Sequence, residues 1–429
     1  MRVRKLIILS VVSIFFASGI KAQDLDALGT YTPYSLYGIG SLEQTGSSIT
    51  RGMGGIGTGV RSNKFINIKN IASITERDTL AFMLDFGLNI KNYYIKDANS
   101  KSAHNTANIN NMTVTVPIYR KSAVLLGIQP YSSVGYKFET KETNPELVSE
   151  YGDISYQKYG NGSINEVFIG YAANIFKNLS VGVQGIYYFG DLTKHSDINF
   201  NTEASIRAIE TGWNFKPTGF SAEFGLQYFK KFEGDYELTV GGTYRLKNKL
   251  DGSHLRYSYA YDAAVTDTIS YEKRNFDISI PGKFSVGASL KKEEKWMVGF
   301  DYEHQDWSKA NFRETPGLGY TSQAENSYRL GVEYTPNRYD IRYYYRRISY
   351  RVGAYYNQSY VKFNGQSVNC MGITLGASLP VFRWNNSFNV AVDFGQRGKT
   401  GNNLVKERYV NFIISLNLYD IWFVKQRYK

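Results

Sequence analysis

Val410-Asn411-Phe412-Ile413-Ile414-Ser415-Leu416-Asn417-Leu418 is the stretch on which the fold turns. Val410, Phe412, Ile414, Leu416 and Leu418 form one row of alternate residues, and the other row is mainly Asn and Ser. Successive side chains of a strand point to opposite faces, so this segment predicts a strand with one apolar side and one polar side. The period recurs at Phe284/Val286/Ala288/Leu290 against Ser285/Gly287/Ser289, at Phe388/Val390/Val392/Phe394, and at Met371/Ile373/Leu375/Ala377/Leu379.

From Leu80 onward the pattern predicts about fourteen strands, each long enough to cross a membrane at a tilt of roughly 45°. Their expected cores are 80–95, 108–118, 122–138, 163–175, 179–191, 218–230, 235–247, 281–291, 295–306, 326–335, 338–349, 368–380, 387–396 and 405–418. Every second connection is short and polar, as at Tyr119-Arg120-Lys121, Phe176-Lys177-Asn178, Lys292-Glu293-Glu294 and Thr335-Pro336-Asn337. The connections between them, 139–162, 192–217, 248–280, 307–325 and 350–367, are long and rich in Tyr and Asn. Short turns on one side and long loops on the other mark an outer-membrane barrel, and a soluble sandwich has no reason to sort its loops so. The expected fold class is therefore all-β: a transmembrane antiparallel barrel of about fourteen strands in the outer membrane, its apolar face against lipid.

Composition agrees. Aromatics are 15% of the chain, with 36 tyrosines, and 40 glycines stand against 9 prolines. The mean hydropathy is negative, which excludes a bundle of apolar helices. Arg2, Arg4 and Lys5 precede an apolar run from Leu6 to Ile20, and Ala22 offers a cleavage point, so residues 1–22 read as an export signal. The net charge is +12, of which the signal carries four positives, leaving +8 on the mature chain. That excess is dispersed, which argues against a nucleic-acid partner and suits contact with outer-membrane lipid head groups. The single Cys370 forms no internal disulfide.

Residues 23–79 show no strand array. Arg51-Gly52-Met53-Gly54-Gly55-Ile56-Gly57-Thr58-Gly59 permits tight turns and close backbone approach, but no preceding strand and no Gly-Lys-Ser/Thr make it a nucleotide loop. Lying ahead of the first wall strand, this segment is placed to fold inward as a plug, with residues 80–429 as the barrel. The chain resembles the FadL family of outer-membrane transporters for hydrophobic compounds, in the form common among Bacteroidota. The resemblance rests on Pro33-Tyr34-Ser35-Leu36-Tyr37-Gly38-Ile39-Gly40, the glycine run with Arg51, Asn67-Ile68-Lys69-Asn70-Ile71-Ala72-Ser73, and the terminal Leu416–Lys429 with Trp422-Phe423. It implies fourteen strands and a luminal hatch to which Arg51, Gly54, Gly55, Asn70, Ala72 and Ser73 belong. The family's Asn-Pro-Ala motif has Ile71 in place of its proline here.

The resemblance also implies a kinked third strand that opens the wall sideways. Pro130 in Val124–Tyr131 cannot donate to a ladder, so it predicts a bulge or local opening, with Gly127 and Gly135 giving latitude. Arg329, Glu333, Asp340, Arg342 and Asp393 fall on polar rows and are expected to face the lumen, since a cation at mid-depth in lipid costs roughly 2–4 kcal/mol. His104, His195, His254 and His304 form no metal spacing, and no catalytic constellation or cofactor motif emerges. The expected function is passage of small hydrophobic compounds through a plugged lumen. The alternative is an accessory or plugging subunit of the type 9 secretion translocon, for which Ile71 and the long tyrosine-rich stretches leave room.

Overall fold

The computed structural model describes residues 29–78, 81–97, 100–119, 121–201, 206–262, 265–312, 319–381, 385–400 and 404–421. The export signal and Trp422-Phe423 lie outside the described residues. Fourteen strands form the wall: β1 (Ala81–Lys96), β2 (Lys101–Tyr119), β3 (Ser122–Lys141), β4 (Asp153–Phe176), β5 (Leu179–Asn201), β6 (Ala208–Phe232), β7 (Tyr236–Arg245), β8 (Lys283–Lys292), β9 (Trp296–Asp306), β10 (Ala324–Tyr334), β11 (Ser349–Phe363), β12 (Gln366–Pro380), β13 (Ser387–Arg397) and β14 (Lys406–Ile421). Each pairs antiparallel with the next, and β14 returns to β1 from Lys406↔Lys96 to Ile421↔Ala81, so the sheet is closed. Closure leaves no lipid-exposed edge, which a sheet in hydrocarbon requires.

The alternation decides which side is which. In β14, Phe412, Leu416 and Leu418 are exposed while Asn411, Ser415 and Asn417 are buried. On β10, Leu330 is 51% exposed and its neighbour Arg329 only 5%. On these strands polar side chains thus face the interior and apolar ones the outside, while on β3 to β5 Leu125, Ile164, Phe168 and Ile186 also face inward, into an apolar cluster with the segment ahead of β1. Leu330→Arg should accordingly cost about 2–4 kcal/mol in a vesicle-based unfolding titration, while Arg329 one residue away is accommodated inside.

The strands exceed the membrane on one side only. β3 and β4 form a long hairpin, as do β5 and β6, so much of 139–162 and 192–217 is strand rather than loop. Above the short β7 and β8, residues 248–280 fold as a ribbon, Asn248–Tyr261 with Thr266–Ile280, paired to the outer half of β6. Both ends of the wall, Ala81 and Ile421, lie on the opposite rim with the tight turns.

One expected strand is misplaced. Residues 338–349 are not a wall strand: 335–348 is an irregular connection with a single helical turn at Tyr344–Arg347. The strand is β11, inside the region expected to be an outer loop. Alternate Arg and Tyr at 338–345 mimic a strand, but Asp340 Oδ1 accepts from the Arg342 and Tyr343 backbone N–H groups and turns the chain. In β11 tyrosines occupy both faces, Tyr355 buried and Tyr356 exposed, which blurs the two-residue period. One false strand and one missed strand offset each other, and the count stays at fourteen.

Candidate functional site: the barrel interior and a gap in its wall

Residues 29–78 run against the inward faces of the wall strands and are mostly buried. Thr32 caps a short turn, Pro33–Leu36, and its backbone N–H donates to Gly135 O at 2.8 Å. Ser41 and Leu42 then pair as a two-residue strand with Ser133 and Ser132 of β3, and Glu43 N donates to Tyr131 O at 2.9 Å. Beyond a helical turn at Ser48–Arg51, the glycine run crosses the interior against β7 to β12.

That crossing depends on glycine on both partners. A Cβ on Gly353 of β11 would overlap Gly54 N, one on Gly331 of β10 would overlap Met53 O, and one on Gly241 of β7 would overlap Thr58 O. Gly287 and Gly376 meet Gly59 and Gly52 in the same way. Backbone packs on backbone along a belt of the wall, a proximity that any side chain would prevent.

Polar contacts fasten the crossing. Asp301 of β9 accepts from Gly57 N and Thr58 N at 2.7 and 2.8 Å. Glu303, two residues on, receives Lys69, Lys283 at 3.1 Å and Arg329 at 3.1 Å. Arg61 reaches Glu76 at 2.9 Å, Thr75 Oγ1 at 2.8 Å and Ser180 Oγ at 3.1 Å, with its guanidinium over Phe229.

The residues expected to form a hatch are brought together here. Arg51 donates to Asn110 Oδ1 at 3.2 Å and lies 3.8 Å from Asp393, one of the expected luminal acids. Gly54 and Gly55 have φ of +68° and +83°, and Gly54 N donates to Thr374 Oγ1 at 2.8 Å. Asn70 begins a turn at Ile71–Thr75: its Oδ1 accepts from Ala72 N, and its Nδ2 donates to Thr58 O and Leu226 O. Ser73 Oγ donates back to Asn70 O at 2.7 Å. Ile71, fully buried, fills the space over Gly170, Gly182 and Gly225.

Of the expected luminal group, Arg329, Glu333 and Asp393 are inside, Glu333 paired to Arg351 at 2.7 Å. Asp340 and Arg342 are not. They lie on the 335–348 connection at the rim, where Asp340 pairs with Arg346 and Arg342 is exposed. Asp301, Glu303 and Arg61 were not singled out from sequence, although Gly299, Asp301 and Glu303 form the polar row of β9 and the parity that selects Arg329 selects them too.

The third strand is irregular at its proline. The β3–β4 register shifts between Pro130 and Ser132. Gly127 lies against Phe168, and a Cβ on Gly135 would overlap Thr30 O. The β2–β3 ladder runs only from Tyr119↔Ser122 to Met112↔Ile128. Farther out, β2 continues to pair with β1, while β3 takes Ser41 and Leu42 as partners. A cavity of about 360 Å³ opens at this parting, between Asn108–Asn110 on one side and Pro130, Ser133 and Asn165 on the other. A second, of about 140 Å³, lies deeper and is lined by charged side chains including Lys91, Glu43, Arg397 and Glu303. Among the described residues no group of three His, Cys, Asp or Glu is placed to hold a metal.

A closed fourteen-strand sheet with this crossing segment is a FadL-like barrel fold. Three solved structures share the fold: the CymD monoaromatic hydrocarbon channel (17% identity, TM-score 0.59, 88% of this chain and 98% of that one), the Ralstonia pickettii toluene transporter TbuX (16%, 0.56, 87% and 98%) and a Pseudomonas aeruginosa FadL homologue (12%, 0.58, 89% and 99%). No curated protein matches by sequence. The BamG family model matches residues 2–429, and the chain belongs to the BamG family.

Proposed function

We propose that this barrel passes small hydrophobic compounds across the outer membrane, with residues 23–79 as a plug in the lumen of the 80–429 barrel and the β2–β3 parting as a sideways exit. The observation that carries the reading is the early end of the β2–β3 ladder at Met112↔Ile128. Elsewhere a wall of paired strands keeps an apolar molecule from moving between lumen and lipid. At this place β3 is met by residues of the crossing segment, at Thr32, Ser35 and Ser41–Glu43, and these few bonds can be exchanged at lower cost than a full ladder. Met112, Ile109, Leu126 and Ile128 are exposed on the flanks, so a molecule leaving there meets apolar surface.

The charged groups among the tyrosines of the inner cavity favour an exit through the wall over one straight down the axis, because a greasy cargo gains less beside ion pairs than against an apolar wall. Under the outer loops the interior is closed by rings instead, Tyr37 stacked on Tyr320 at 4.7 Å and Trp307 beside Tyr360 at 5.0 Å. These are the first surfaces an apolar compound would displace. Of the solved neighbours named above, CymD is a monoaromatic hydrocarbon channel and TbuX a toluene transporter, which agrees with this class of cargo and with a non-enzymatic role. A secretion-translocon partner has no support from them.

Bridging the parting tests the exit. In a Cys370→Ser background, Asn108→Cys on β2 and Ser133→Cys on β3 joined by a bismaleimide should reduce uptake of a radiolabelled long-chain fatty acid to that of cells lacking the protein. The unjoined double variant should transport normally. Undiminished uptake after joining would end the sideways route.

A further inference from the structure

We infer that the connection at 335–348 is a docking platform for a periplasmic protein that presents carboxylates around an apolar recess. On the same rim, the other wall strands are joined across only 120–121, 177–178, 233–235, 293–295 and 381–386. The rim holds both ends of the wall and the short turns, the arrangement that faces the periplasm in outer-membrane barrels. A barrel needs no connection of this length there, and none of its residues completes the wall.

The platform is ordered by its own bonds. Asn337 N donates to Arg346 O at 2.8 Å, closing the base, and Arg346 pairs with Asp340 at 3.3 Å across the turn that Asp340 caps. Arg338 reaches Asn385 at 2.5 Å and Glu294 at 3.3 Å, so the base is tied to the neighbouring connections on both sides. What this holds up is apolar and cationic. Ile341 is 95% exposed, and Tyr339, Tyr343, Tyr344 and Tyr345 are exposed around it. Arg342 and Arg346 lie over the Tyr343 ring and Arg347 over Tyr344, at 4.8–5.1 Å.

Charge selects the partner. Four arginines (338, 342, 346 and 347) face one acid within the connection, Asp340, and among the described residues Arg342 and Arg347 have no carboxylate partner. Tyr and Arg are the residue types that dominate protein-interface energetics, and stacking on tyrosine fixes the guanidinium groups before binding. Lipid is the weaker occupant. Exposed Tyr334 and Tyr350, at the ends of the flanking strands, already mark the interface, and the connection extends beyond both.

The test places a photoreactive p-benzoylphenylalanine at Ile341 of the full chain in living cells. A covalent adduct to a protein is expected, with the contact mapped by mass spectrometry. Arg342→Glu with Arg347→Glu should lower the adduct yield by roughly tenfold or more, the scale of losing an interface hot spot. Replacing the mapped carboxylate on the partner by arginine should restore it. Heat-modifiable migration of the barrel on SDS gels should be unchanged, since these residues lie outside the wall. An adduct to phospholipid alone, no adduct, or a protein adduct indifferent to charge reversal would each overturn the assignment. The outcome is independent of fatty-acid uptake, so it stands or falls apart from the proposed transport.

Discussion

Excision of residues 29–78 is expected to give large, long-lived conductance steps in planar bilayers, where the intact chain is expected to give none. The wall does not need the segment to exist. Each strand is paired to its neighbours in the closed sheet, and the outer part of β3 borrows backbone partners from the segment, at Thr32, Ser41, Leu42 and Glu43. The side chains left behind include Asn, Ser, Thr and charged groups that water can solvate, together with an apolar cluster, Leu125, Ile164, Phe168 and Ile186 among it, that the segment covers in the intact chain. Barrels of about eight strands fill with their own side chains and those of about sixteen hold water, so fourteen strands without a filling segment should conduct. Cells carrying the excised form should also become sensitive to vancomycin, which an intact outer membrane excludes. A milder version keeps the segment: Gly353→Leu drives a side chain into Gly54 N and should raise leakage at a cost of about 1–3 kcal/mol, the usual scale of overpacking. An excised barrel that inserts, resists heat on SDS gels and yet stays non-conducting would show that something other than this segment blocks the lumen.

The parts of this molecule that sequence disclosed are those governed by a local period. Strand position follows from alternation because burial by lipid on one side and by water and polar side chains on the other acts residue by residue, as in Phe412/Leu416 against Asn411/Ser415. Pro130 was legible for a similar reason, since a missing N–H has a local consequence wherever the strand lies. β11 was missed because Tyr can occupy either face, packing at Tyr355 inside and at Tyr356 in lipid. The connection at 335–348 was misread because its Arg/Tyr alternation serves a stacked cluster, a use of period two that needs no neighbouring strand. The glycine belt was hidden for a different reason. Each of Gly241, Gly331 and Gly353 is unremarkable in its own strand, and their alignment against Thr58, Met53 and Gly54 exists only once the registers of β7 to β12 are set. The same holds for Glu303, whose three cations come from the segment, from β8 and from β10.

Glu303→Ala should be the most damaging single substitution in the interior, at about 3–5 kcal/mol, because it removes one carboxylate and strands several cations. Lys69 and Arg329 are both nearly solvent-free, and among the described residues each keeps the Gly55 carbonyl, at 2.7 and 3.3 Å, as its hydrogen-bond acceptor once Glu303 is gone. Lys283 is the least buried of the three and can turn toward water. The cost should not be spread evenly over the barrel. Lys69 belongs to the crossing segment while Glu303 belongs to the wall, so the first effect should be release of the segment, with the strand ladders intact. Hydrogen exchange can resolve this. The Gly57 and Thr58 amides, which donate to Asp301 beside Glu303, should lose protection, while amides in β12 to β14 keep theirs. Glu303→Gln keeps an accepting oxygen and should fall between wild type and alanine. The decisive comparison is Glu303→Leu combined with Lys69→Met and Arg329→Met, which removes acid and buried cations together. If the penalty of the single substitution is the desolvation of unpaired charge, the triple variant should recover most of the loss, as buried ion pairs replaced by apolar residues generally do. If it recovers nothing, the contribution lies in the bond geometry that Lys69 and Arg329 impose on Gly55, and the segment is held by direction rather than by charge balance.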